Sequence, residues 1–119
     1  MKKVNFEKIK EIVDNNKDRI ICVVISANDC PYCDSFKLQS IDKVKDKFNY
    51  VDWYEINYNE VEVLKYFPPQ LSPMCYFFVP NCELVPLIRP GAATPDALEN
   101  ELNNFTRLMN GEKLSEVYK

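Results

Sequence analysis

The sequence predicts an α/β fold: a mixed sheet of four or five strands flanked by helices, in the order αβαβαββα. Three observations predict it. The run Ile20-Ile21-Cys22-Val23-Val24-Ile25 is continuously apolar and mostly β-branched, as a strand covered on both faces requires. Amphipathic segments with helical spacing stand on either side of it. A second apolar run, Met74 to Val79, leads through a short turn into a further strand, so those two strands pair antiparallel. Strands joined through a helix pair in parallel, with a right-handed crossover.

Taken in order, Asn5 caps a first helix whose Phe6, Ile9, Ile12 and Val13 share one face. Asn15-Asn16 ends it, because Asn tolerates the left-handed conformation. The apolar strand Ile20–Ile25 follows, then a polar loop from Ser26 to Asp29. A second helix runs from about Cys33 to Phe48, with Phe36, Ile41, Val44 and Phe48 inward. Tyr50 to Ile56 is an aromatic-rich strand. Asn59 to Phe67 is a short helix halted by Pro68-Pro69. After Met74–Val79, Pro80-Asn81-Cys82 turns the chain into a strand from Leu84 to Ile88. Pro86 cannot donate to a ladder, which places that strand at a sheet edge. Thr94-Pro95 starts a last helix, with Leu98, Leu102, Phe105 and Met109 on one face and Asn110-Gly111 at its close. From about residue 111 a tail with only Leu114 and Val117 as anchors is expected to be mobile.

The 119 residues make one domain, residues 1–119, and 46% apolar residues suffice for a core without staples. A net charge of −3 and no run of Lys or Arg argue against a nucleic-acid footprint. Met1-Lys2-Lys3 is not followed by an apolar stretch, so it does not read as a secretory signal. No segment approaches the roughly 20 apolar residues of a membrane helix. The expectation is a cytoplasmic protein, monomeric, with no membrane or nucleic-acid partner.

The five cysteines, Cys22, Cys30, Cys33, Cys75 and Cys82, are odd in number and irregular in spacing, unlike a disulfide framework. In a reducing compartment a CxxC serves catalysis or metal binding. A structural zinc site needs four ligands, and the chain has neither a histidine nor a second CxxC. Cys30-Pro31-Tyr32-Cys33 directly follows a buried strand and opens a helix. There the unpaired N–H groups and the positive dipole end stabilise a thiolate, so Cys30 is the expected nucleophile. Cys33, about a turn along, can resolve a mixed disulfide. Pro31 suits the first turn, where its missing N–H is not needed. Asp29 and Asp34 oppose a thiolate, and Lys37 offsets part of that. Cys22 and Cys75 read as small core residues, with Cys75 near the dithiol by its distance from Pro73; Cys82 sits in a turn. A Cys75–Cys82 disulfide is not expected.

The strand Ile20–Ile25, the CPYC at a helix start, Ser72-Pro73 before a strand and Gly91 after the next one together resemble the thioredoxin superfamily. The resemblance runs from the first helix to about Met109. It implies a thioredoxin-like fold in which Pro73 follows a cis peptide bond and lies against the CxxC. It also implies a substrate groove lined by Pro31, Tyr32, Ser72, Pro73 and Gly91, with Cys30 and Cys33 catalytic. The implied activity is thiol–disulfide oxidoreduction of protein or small-molecule disulfides, with no metal and no cofactor beyond the redox-active disulfide. Electrons would come from a thioredoxin reductase or glutathione. Thioredoxins, however, carry Trp-Cys-Gly-Pro-Cys and a buried Asp on the preceding strand, where this chain has Asp29 and Val24. CPYC is typical of glutaredoxins, but their Thr-Val-Pro and Gly-Gly signature is replaced by Leu71-Ser72-Pro73 and Pro90-Gly91-Ala92. An iron–sulfur cluster shared between chains occurs in this superfamily; a proline inside the motif disfavours it. The alternative function is a non-catalytic interaction or adaptor module on the same frame.

Overall fold

A computed structural model describes residues 1–58 and 73–119. The expected helix over 59–67, the Pro68-Pro69 stop and Ser72 lie outside the described residues. Strands β1 (Lys2–Lys3), β2 (Ile20–Ser26), β3 (Val51–Asn57), β4 (Met74–Phe78) and β5 (Leu87–Pro90) form one mixed sheet in the order β1-β3-β2-β4-β5. β1 was not foreseen. Two lysines carry no strand signal, and the pairing comes from β3, against which Lys2 lies opposite Tyr54 in parallel register.

β2 is the axis of the sheet. It pairs in parallel with β3, from Ile20 opposite Val51 to Ser26 opposite Asn57, and antiparallel with β4, from Ile21 opposite Phe78 to Ile25 opposite Met74. Every residue of β2 is buried, as its unbroken apolar run requires. Alternate residues feed two cores. Cys22 and Val24 join Phe36, Ile41, Val44, Phe77, Leu98, Leu102 and Phe105 on one face. Ile21, Val23 and Ile25 join Ile9, Ile56, Met74 and Tyr76 on the other.

Helix α1 (Phe6–Asp14) begins at Asn5, whose side chain accepts from the Lys8 backbone N–H at 2.8 Å. It does not end in the left-handed turn expected of Asn15; Asn15 stays right-handed, and its N–H still bonds Glu11. Asn16 instead clasps the backbone of Arg19 with both its amide groups, which leads the chain into β2. Helix α2 (Pro31–Ser35) starts two residues earlier than the spacing indicated and passes into a π-helical segment, Phe36–Ile41, then α3 (Asp42–Val44) and a 3-10 turn, Lys45–Lys47. The wide π turn keeps Phe36, Ser40 and Ile41 on the buried side.

β5 is an edge strand, as its proline required, but it starts at Leu87 rather than Leu84. Pro86, after a cis bond from Val85, precedes the ladder because it has no N–H to give. Helix α4 (Pro95–Met109) is capped by Thr94, which accepts from the Ala97 N–H at 3.2 Å. A final helical turn, α5 (Leu114–Val117), rests Leu114 and Val117 on the core.

Candidate active site

β2 delivers the chain to the site. Its ladder extends by one bond, from the Tyr58 N–H to the Ser26 carbonyl at 2.8 Å, and the Asn57 amide donates to the Asn28 side chain at 2.7 Å. The loop after β2 is thereby tied to the end of β3. Asp29 adopts φ 53°, a left-handed conformation that Asp tolerates better than most residues. This turn places Cys30 at the N-cap of α2, with extended backbone.

Cys30 caps the helix with sulfur: its Sγ accepts from the Cys33 N–H at 3.1 Å. Pro31 holds the first helical position. Cys30 and Cys33 are joined as a disulfide, with Cα atoms 5.3 Å apart, inside the ordinary range for such a bond. The two sulfurs are not equivalent. Cys30 is partly exposed, whereas Cys33 is 1% exposed and belongs to the core. Tyr32, between them, is 72% exposed. A partner can therefore reach Cys30 but not Cys33.

Pro73 is buried and leads directly into β4. Its carbonyl accepts from the Gly91 N–H at 2.8 Å, one step beyond the Met74–Pro90 pair of the β4–β5 ladder. Ile25 pairs with Met74, so Pro73 and Gly91 lie at the same end of the sheet from which β2 leaves for Cys30. The structure thus brings Pro73 and Gly91 together and sets them at the dithiol's end of the sheet. Ser72, and with it the Ser72–Pro73 bond, lies outside the described residues.

One charged residue escaped the sequence reading. Glu55, on β3, is only 4% exposed and lies opposite Val24 in parallel register. Its carboxylate accepts from Lys37 at 2.8 Å, and Lys37 also lies 3.7 Å from Asp34. Burial alone would raise the Glu55 carboxyl, but hydrogen bonds from Lys37 and Ser26, with Lys37 and Lys3 nearby, hold it below the usual value. The available signal was a Glu inside an otherwise apolar and aromatic strand. Lys37, read as offsetting Asp29 and Asp34, is engaged mainly by this third carboxylate.

Cys22 and Cys75 are buried free thiols set diagonally across the neighbouring strands β2 and β4. Burial, then the Cys75 contact, pushes the Cys22 thiol well above its ordinary value. Cys82 is free and partly buried, so no bond joins it to Cys75.

No family model matches the sequence, and no curated protein matches it. Solved structures do match. The chain is similar to a chloroplastic thioredoxin z, with a TM-score of 0.79 at 14% identity over 90% of this chain and 95% of that one. Thioredoxin f2 of Chlamydomonas reinhardtii gives 0.73 at 15% identity, over 91% of this chain and 97% of that one. Fasciola hepatica thioredoxin gives 0.68 at 18%, over 90% and 98%. With its CxxC pair at the exit of the central strand, the chain has the thioredoxin fold.

Proposed function

We propose that this protein is a thiol–disulfide oxidoreductase that reduces disulfides through a Cys30/Cys33 dithiol cycle. The observation that carries the reading is the unequal pair itself: an accessible Cys30 and a buried Cys33 within disulfide distance at a helix start. The cycle follows from that geometry. In the reduced protein the Cys30 thiolate attacks one sulfur of a substrate disulfide, forms a mixed disulfide and expels the other sulfur as a thiolate. Cys33 then gives up its proton and attacks the Cys30 sulfur. The Cys30–Cys33 disulfide forms, and the second substrate sulfur leaves as a thiolate that takes up a proton. Two electrons pass from the dithiol to the substrate. A thioredoxin reductase, or two molecules of glutathione, returns them.

Substrate chains would lie along Pro31 and Tyr32 on one side and Ser72, Pro73 and Gly91 on the other, with Cys30 between. The exposed Tyr32 and the Pro73–Gly91 bond support that placing. Protein disulfides are the expected substrates, and the cytoplasm the expected compartment, with the protein acting as a monomer.

Insulin reduction tests the reading. Wild type should accelerate it, Cys30→Ser should be inactive, and Cys33→Ser should accumulate a mixed disulfide visible by mass spectrometry. Wild-type activity no higher than that of Cys30→Ser would overturn it. Partner capture that survives loss of both cysteines, without redox activity, would favour an adaptor role instead.

A further inference from the structure

A buried charge needs a reason, because leaving water costs it several kcal/mol unless partners compensate. Glu55 is such a charge, and its partner is Lys37, itself about a quarter exposed. The pair has a particular address. Lys37 follows Cys33 by four residues along the helical run, so the two lie on neighbouring turns of one face. Glu55 faces Val24, two residues before Ser26, the last residue of β2 before the loop to Cys30. One charge therefore lies on the helical run that carries the dithiol, and the other on the strand paired with β2. An open cavity of about 410 Å³, lined by Asp34, Lys37, Leu38, Asp42 and Glu55 among others, borders them.

We propose that Lys37 and Glu55 form a positioning pair that sets the proton affinity of the Cys30/Cys33 dithiol, Lys37 favouring the thiolate and Glu55 opposing it. The proposal rests on the oxidoreductase reading. Around the pair stand Met1, Lys3 of β1, Ser26 of β2, Asp34 of α2 and Asp42 of α3, and Asp29 is on the loop before Cys30. Asp29, Asp34 and Glu55 together would make an acidic surround, and Lys37 is the cation that two of the three are near or bonded to. Opposite signs distinguish this role from a structural one. A strut that merely holds the Phe36–Ile41 segment against β3 fails in the same direction whichever end is cut. A charge pair does not.

The test is the pH midpoint of iodoacetamide alkylation of Cys30 in the reduced protein, at low salt, read by peptide mass spectrometry. Glu55→Gln leaves Lys37 balanced only by the more distant Asp34, at 3.7 Å, and should lower the midpoint by about half a pH unit or more. Lys37→Gln leaves Glu55 and Asp34 unopposed and should raise it by a similar amount. The double variant should return close to wild type. Shifts of one sign in both single variants, or no shift in Glu55→Gln, would overturn the proposal. If Lys37→Gln does not fold, Glu55→Gln and the double variant decide the matter, since the second must reverse the first. Insulin reduction by wild type against Cys30→Ser is run alongside. Failure there removes the oxidoreductase reading, whereas active wild type with same-sign midpoints removes only the pair.

Discussion

The Gly91 N–H donates to the Pro73 carbonyl at 2.8 Å, joining the residue before β4 to the residue after β5. Gly91 makes this bond with φ 80°, a left-handed conformation that costs an L-residue about 1 kcal/mol or more. Gly91→Ala should therefore lower the unfolding free energy by about 1 kcal/mol in urea titration. Gly91→Val, whose branched side chain fits that conformation worse, should cost more. Insulin reduction should fall in both variants if the Pro73–Gly91 edge lines the groove.

Two carboxylates should give stability opposite dependences on pH. The Glu55 carboxyl lies below its ordinary value of 4.5 in the folded chain, and Glu101 lies above it. For Glu101 burial outweighs the ion pair with Arg89 on β5; for Glu55 the hydrogen bonds from Lys37 and Ser26 win. Glu55 thus contributes stability that is present above pH 4.5 and is lost as pH falls through its folded value. Glu101 contributes stability that is fully present below pH 4.5 and is lost as pH rises through its raised value. In urea titrations from pH 3 to 8, Glu55→Gln should flatten the acid limb, and Glu101→Gln should flatten the decline above pH 4.5. Unchanged limbs in either variant would contradict the assignment.

Much of this architecture was legible because burial writes itself into periodicity. The unbroken run in β2, the helical spacing of Phe36, Ile41, Val44 and Phe48, and the Thr94-Pro95 start each point to one structure, and each is found. Pro86 gave the edge position of β5 through the loss of one N–H, although the strand begins after it. The misses have a shared cause: they depend on partners distant in sequence. β1 exists only because β3 offers it a ladder. The π-helical turn at Phe36–Ile41 is a matter of how the helix beds on the core, which local propensity does not encode. At the site, Cys30 and Cys33 were plain from their spacing. Glu55 was not, because its importance lies in a register opposite Val24 that only the folded sheet sets.

The three remaining cysteines should separate cleanly by accessibility. Cys22 and Cys75 are completely buried, and Cys82 is partly exposed beside the turn before β5. A thiol must be both reached and ionised to react, and burial opposes both at Cys22. Alkylation of the oxidised, folded protein at pH 8 should modify Cys82 first. Cys22 and Cys75 should react only in urea, with a dependence that follows global unfolding. Rapid labelling of Cys22 in the folded protein would contradict the packing of β2.

Asp29 combines two properties that substitution can separate. It carries a charge next to Cys30, and it holds φ 53° at the turn that presents Cys30. Asp29→Asn keeps a side chain that tolerates the left-handed region and removes only the charge. The alkylation midpoint of Cys30 should fall by a few tenths of a pH unit at low salt, and the shift should shrink as salt screens it. Stability should be unchanged. Asp29→Val removes the charge as well but places a β-branched residue where only a few types sit comfortably. It should cost about 1–2 kcal/mol of unfolding free energy. If the turn alone governed Cys30, Asp29→Asn would leave the midpoint where it is and only Asp29→Val would alter reactivity; if the charge governs it, both variants share the downward shift and only the second is destabilised.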